Sequence, residues 1–294
     1  MLGELSALGA ATLWSFSSFV FSAAARRIGS VNLNYSRLFF AVAFLFITVA
    51  LAGLPYQMSV RQLLFLILSG VIGIVFGDSF LFKAFSEIGA RLSMLVMSMA
   101  PAIASFAAFF LLGERLLPMQ VLGIIVTVSG IAMVVSRRQV ASSEEIRPHP
   151  FRGILFAFCG ALGQGMGLIV ARFAFQEGEI HGLVATFVRI ASSFILLTPI
   201  MLLRMKKDNA FRALVDDKKA AGLSMLGAVL GPFLGITLSL ISIMHTQIGI
   251  ATTLMATTPI IMLPIAHFLF KERLTLPAIA GAVIAVAGVM ILIL

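Results

Sequence analysis

Apolar residues in this chain are gathered into long blocks without strict alternation. Ten blocks stand out, at approximately 2–24, 33–53, 61–84, 91–112, 119–136, 151–172, 182–204, 220–243, 249–270 and 276–294. Short polar, Gly- or Pro-containing breaks part them, such as Gly53-Leu54-Pro55 and Ser136-Arg137-Arg138. A helix needs about 20 mostly apolar residues to cross roughly 30 Å of hydrocarbon. Each block is therefore expected to be a membrane-spanning helix. Membrane strands are shorter and alternate, so they are excluded.

The blocks also repeat. Residues 110–130, FLLGERLLPMQVLGIIVTVSG, return 158 positions later as FLFKERLTLPAIAGAVIAVAG. Over 97–130 and 255–288 the matches include Met97/Met255, Pro101/Pro259, Glu114/Glu272, Arg115/Arg273, Gly123/Gly281 and Gly130/Gly288. Shared Leu or Val would be cheap in so apolar a chain, but shared Pro, Glu, Arg and Gly in register mark an internal duplication. Near Arg37, NYSRLFFAVAFLF resembles ATFVRIASSFILL near Arg189, so an Arg falls early in the second helix of each copy. The simplest division is a first five-helix repeat at 1–138, a linker at 139–150 and a second repeat at 151–294. An odd number of crossings makes the two copies enter the membrane from opposite sides. That is the inverted-repeat plan of secondary transporters.

Composition sharpens this reading. The chain is 60% hydrophobic and only 11% charged, against about a quarter charged in soluble domains. The net charge of +9 sits in the breaks between blocks, as topology signals do, which excludes a nucleic-acid partner. One set of alternate loops holds only Arg61, Arg115 and Arg172. The other holds nearly all the remaining cations, among them Arg26, Arg27, Arg137, Arg138, Lys206, Lys207, Lys218 and Lys219. Positive loops stay in the cytoplasm, which puts both termini outside. The first block is expected to be a retained helix, not a cleaved leader. The single Cys159 cannot form an intrachain disulfide.

The twin Glu-Arg-Leu segments with Pro and Gly downstream, the ten blocks and the five-plus-five repeat resemble the drug/metabolite transporter superfamily, in particular its EamA-domain branch. The resemblance runs over the whole chain, once per half. It implies an all-α integral membrane protein, a ten-helix bundle that exports or exchanges small metabolites, amino acids or drugs across a bacterial inner membrane. It also implies cytoplasmic termini, where this chain's loop charge points the other way.

Candidate chemistry lies in the few polar groups inside the blocks, since an ionisable residue at mid-helix costs on the order of 2.5–3.5 kcal/mol to insert. Asp78 lies about six residues inside the third block, roughly 9 Å deep. Its repeat counterpart is Ile236, so the acid exists in one half only. Arg37 enters from the same side at similar depth, and an Arg37–Asp78 pair is expected. Asp78 then either gates a cavity, carries a proton, or is fixed in a pair that holds two helices together, in which case it stays ionised. Arg189 could serve an anionic substrate group or a carboxylate such as Glu177 or Glu179. Lys83 is read as a snorkelling topology residue.

Pro101 and Pro259 fall near the middle of their blocks and free the carbonyls of Met97 and Met255. Such groups at mid-depth must line a cavity or be buried in protein, so these four are assigned to a cavity or hinge. Trp14, the only tryptophan, sits near the centre of the first block instead of the interfacial belt. Gln164 lies among the glycines of CGALGQGMG, and the pair is expected to line the same cavity. The alternative for those glycines is close helix packing. Glu114-Arg115 and Glu272-Arg273 suit a structural role at the start of the following helix. His245 and His267 stand alone at helix ends, and no spacing suggests a metal. Nothing resembles a phosphate-binding loop, a nucleophile–base set or a cofactor site.

The expected function is a secondary transporter with no cofactor and no enzymatic activity, exporting a small metabolite across the bacterial inner membrane. Its partners would be the lipid bilayer, a small-molecule substrate and protons as a coupling ion, and it would act as a monomer or homodimer. Multidrug efflux is the nearest alternative, given 26 Phe and 15 Met. A passive channel or a non-transporting membrane receptor is the alternative of another class.

Overall fold

The computed structural model describes residues 1–97, 99–138, 150–204, 210–270 and 276–293. Their elements are α1 (Leu2–Ile28), α2 (Ser30–Leu51), α3 (Val60–Gly70), α4 (Ser79–Met97), α5 (Ala100–Leu111), α6 (Pro118–Arg138) and α7 (Pro150–Gln176). They continue with α8 (Gly182–Arg204), α9 (Ala210–Asp216), α10 (Lys218–Ala228), α11 (Ile236–His245), α12 (Ile248–Met255), α13 (Thr258–Phe270) and α14 (Leu276–Ile293). Two wide-turned π-helical segments, Val71–Asp78 and Val229–Gly235, join α3 to α4 and α10 to α11. No strand occurs among the described residues.

Local chemistry accounts for several ends. Gly29 parts α1 from α2 with φ 81°, a left-handed value open to glycine at no steric cost. Ser59 and Gln62 open α3 with a reciprocal capping box. Asp217 accepts the Ala220 N–H at 2.9 Å to start α10 and accepts from Arg27 Nε at 2.6 Å. The bond from Arg27, with that from Ala220, holds the Asp217 carboxyl below its ordinary range. This tie between α1 and α10 is therefore present near neutrality and is lost only as pH falls into the acid range.

The boundary expected between 84 and 91 holds its place: helical hydrogen bonding has no gap from Ser79 to Met97, yet the chain turns back within it, since Ile88 lies against Gly153 near the start of α7 and Ala100 lies back against Gly165 near its middle. Two expectations need correction. The loop expected at 205–219 contains α9, with Ala210 and Leu214 buried. Pro101 and Pro259 do not kink continuous helices. They are the second residues of new ones, α5 and α13, where a missing N–H costs nothing. Among the described residues, seven helical stretches are long and apolar enough to span a membrane, and three shorter apolar helices lie at Ala100–Leu111, Pro118–Met133 and Ile279–Ile291. The linker expected at 139–150 lies outside the described residues except for Pro150.

Packing joins elements of opposite halves. α7 lies along α3, the first π segment and α4, while α1 lies along α10, the second π segment and α11. α2 meets α8, α5 meets α12, and α6 packs extensively on α14. On α7, Gly167 faces Gly73, Gly163 faces Gly77, Gly160 faces Leu81 and Gly153 faces Ile88, so the two run antiparallel. Across the other seam Gly3 faces His245, Trp14 faces Gly235, and Phe21 faces Gly231 and Gly227. Arg172, near the end of α7, donates to the Ile243 carbonyl, and Gly3, near the start of α1, lies against Ser242. α1 and α7 thus run in opposite directions.

The glycine seam sets a sharp limit. A Cβ on Gly163 would come within 2.5 Å of the Gly77 Cα and 2.8 Å of the Ile72 carbonyl oxygen. Gly163→Ala is expected to cost about 1–3 kcal/mol through overpacking. Gly222→Ala, where a Cβ meets nothing within 4 Å, should be neutral or slightly stabilising. Melting temperatures of the two variants in detergent check the contrast.

Candidate functional site

One cavity of about 150 Å³ lies where the halves meet. The first half lines it with Trp14, Ser17, Ser18 and Phe21 from α1, Arg37 from α2, Asp78, and Phe82 and Phe85 from α4. Met97, Ala100 and Pro101 at the α4–α5 break complete that side. The second half adds Gln164 and Leu168 from α7, Pro232 and Ile236 around the second π segment, and Thr252, Met255, Thr258 and Pro259 around the α12–α13 break. Eight residues singled out from sequence are thereby brought together: Trp14, Arg37, Asp78, Met97, Pro101, Gln164, Met255 and Pro259. Arg189 is not among the lining residues.

Charge is concentrated at one end. Arg37 Nη2 donates to Asp78 Oδ2 at 2.5 Å, and both side chains are more than nine-tenths buried. Arg37 Nε donates to Asn34 Oδ1 at 3.0 Å, and Asn34 Nδ2 donates to Ser79 Oγ at 3.3 Å. The guanidinium carbon lies 4.7 Å from the Phe82 ring centre and 5.5 Å from that of Phe21, close enough for cation–π attraction. The pair therefore ties α2 to the end of the π segment inside an aromatic collar.

The helix breaks present backbone to the cavity. Thr258 Oγ1 donates to the Met255 carbonyl at 2.8 Å, answering the group that Pro259 leaves unpaired. Ser15 Oγ, on α1, donates to the Thr258 carbonyl at 3.0 Å. Beyond the break, every residue of α12 is buried. Ala7, Ala10, Ile243, Ile248 and Leu254 form one buried apolar cluster with it, toward the end of the protein that holds the N terminus.

A family model for the EamA-like transporter family matches residues 1–136 and again 151–294. The chain belongs to the EamA-like transporter family. It is a multi-pass membrane protein of the drug/metabolite transporter kind. Among solved structures, one titled only "Crystal structure of protein" is similar in fold, with a TM-score of 0.77 at 17% identity over 99% of this chain and 98% of that one. No curated protein matches.

The remaining candidates fall elsewhere in this EamA-like fold. Arg189 is 2% exposed within α8. Glu177 faces Arg61 at 3.7 Å instead of Arg189, and Glu179 is exposed. Glu114 does not serve the helix that follows it. Its Oε2 accepts the Ile248 N–H at 2.9 Å, capping α12 in the other half. Glu272 and Arg273 lie outside the described residues. Lys83 is exposed over the Phe156 ring at 4.5 Å, and His267 is exposed beside Phe268. No cluster of metal-ligating side chains occurs among the described residues. Sequence reasoning passed over Phe21, Phe82, Thr252 and the second π segment. A signal for that segment was present, because Val71, Gly73 and Gly77 recur at the same 158-residue offset as Val229, Gly231 and Gly235.

Removing one member of a buried pair strands the other. Asp78→Ala is expected to lose about 3–5 kcal/mol, whereas the double change Arg37→Met with Asp78→Leu recovers most of it. Thermal unfolding of the purified variants checks this, and equal losses in the two would contradict a directly coupled pair.

Proposed function

We propose that this protein is a secondary active transporter exporting a small metabolite, amino-acid-like or amphipathic, across the bacterial inner membrane by alternating access. The observation that carries the reading is a cavity lined by both halves, with the buried α12 packed toward the end that holds the N terminus. Ten crossings in two inverted five-helix repeats are supported by the antiparallel α1 and α7, the paired helix breaks at Pro101 and Pro259, and the paired π segments. Two related halves of opposite sense can exchange conformations and so open the same site to either face. Loop charge supports termini on the outer face, which would set the cavity in the cytoplasmic half.

Cavity size narrows the cargo. A space of about 150 Å³ takes a molecule of roughly benzene size, well below the pockets that hold drug-sized compounds. This favours one small metabolite over multidrug efflux. The packed α12 end lacks the continuous polar path a passive channel needs. Trp14 and Gln164 supply one stacking face and one hydrogen-bonding group for the cargo. Asp78, held by Arg37, fits a gate better than a proton carrier, because carrying a proton requires the pair to part first.

Two measurements test the reading. A thermal-stability screen against amino acids and small aromatic metabolites should find one stabilising compound or close analogues. That compound should then show trans-accelerated counterflow in proteoliposomes, whereas flux without trans-acceleration would indicate a channel. Asp78→Asn should abolish gradient-driven flux while still inserting, and unchanged flux removes Asp78 from the mechanism.

A further inference from the structure

Arg37 and Arg189 occupy the same place in their helices. Each is the eighth residue, α2 opening at Ser30 and α8 at Gly182. Only one acid serves the two, since position 236, the counterpart of Asp78, is isoleucine. In this structure Arg37 holds it at 2.5 Å. Arg189 is 2% exposed, and its Nε has no hydrogen-bond partner among the described residues. A buried guanidinium at membrane depth without a carboxylate is costly and calls for an explanation.

Position supplies one. Arg189 Nη2 lies against Gly73, at 2.9 Å from where a Cβ would stand. Gly73 and Asp78 belong to the same π segment, five residues and so about one wide turn apart. π segments are wide, weakly held turns that recur at functional sites.

We infer that Arg189 is the alternate partner of Asp78, and that the carboxylate passes from Arg37 to Arg189 when the cavity changes the face to which it opens. This rests on the alternating-access reading above. The exchange never leaves the acid without a cation. Arg37, once released, keeps Asn34 and the rings of Phe21 and Phe82. No proton need bind for the exchange to occur. Arg189 acts here through Asp78 as a positioning residue, away from the cargo.

The test uses full-length protein with Cys159→Ser and a cavity reporter, Ser18→Cys, probed with a membrane-impermeant maleimide in vesicles of each orientation. The parent reporter should react from both faces. Arg189→Gln should trap the Arg37-bound state and lower reaction from the face that holds the N terminus by on the order of tenfold or more. Arg189→Lys, which keeps the charge, should restore part of it. Arg37→Gln should bias reactivity the opposite way, and this variant carries the test if Arg189→Gln does not fold. A parent that reacts from one face overturns alternating access and the exchange with it. A parent and both neutral variants that react alike from both faces overturn the exchange alone.

Discussion

A peptide group in hydrocarbon has no water to turn to, so any interruption of a helix at membrane depth must face protein or a cavity. Among the described residues, the breaks at Pro101 and Pro259 and the π segments ending at Asp78 and Gly235 are such interruptions. These four converge on one cavity. The cavity is therefore a place where the regular helical ladder is allowed to fail. The freed groups there are answered locally, as Thr258 answers Met255.

The two halves share a scaffold and differ in what fills their seams. Where α7 meets the first π segment, glycine lies on glycine and the backbones touch. Where α1 meets the second, Trp14 and Phe21 occupy the space over Gly235, Gly231 and Gly227. One seam is thus a tight helix contact of the small-residue kind, and the other gives its aromatic faces to the cavity. The charge is equally lopsided, with an arginine in each half and an acid in one. The departures from pseudo-symmetry supply the lining of the cavity.

Much of this was legible in the residues alone. Block length revealed the spanning helices, the 158-residue offset revealed the duplication, and isolated polar groups together with paired Met and Pro positions in apolar blocks pointed to eight residues that line one cavity. Arg189 lies off the cavity lining because its match to Arg37 fixes a place along the helix, while its neighbours are those of a different seam. Phe21 and Phe82 were illegible for a physical reason. In lipid the outward face of a helix is as apolar as the inward one, so no moment distinguishes a cavity-lining Phe from a lipid-facing one. Glu114 misled because its sequence neighbour was a helix start, and the helix it caps, α12, is brought to it only by the fold. The π segments required reading glycines as backbone chemistry, not as spacing.

The central claim is that two copies of one five-helix unit thread the bilayer in opposite senses and meet around that cavity. The twin Glu-Arg-Leu segments report on it directly. With Cys159 replaced by Ser, single cysteines at Arg115 and at Arg273 would be labelled in intact cells by an impermeant thiol reagent. The account predicts labelling of the Arg115 position from outside and protection of the Arg273 position until the membrane is opened. Labelling of both from the same side would contradict it.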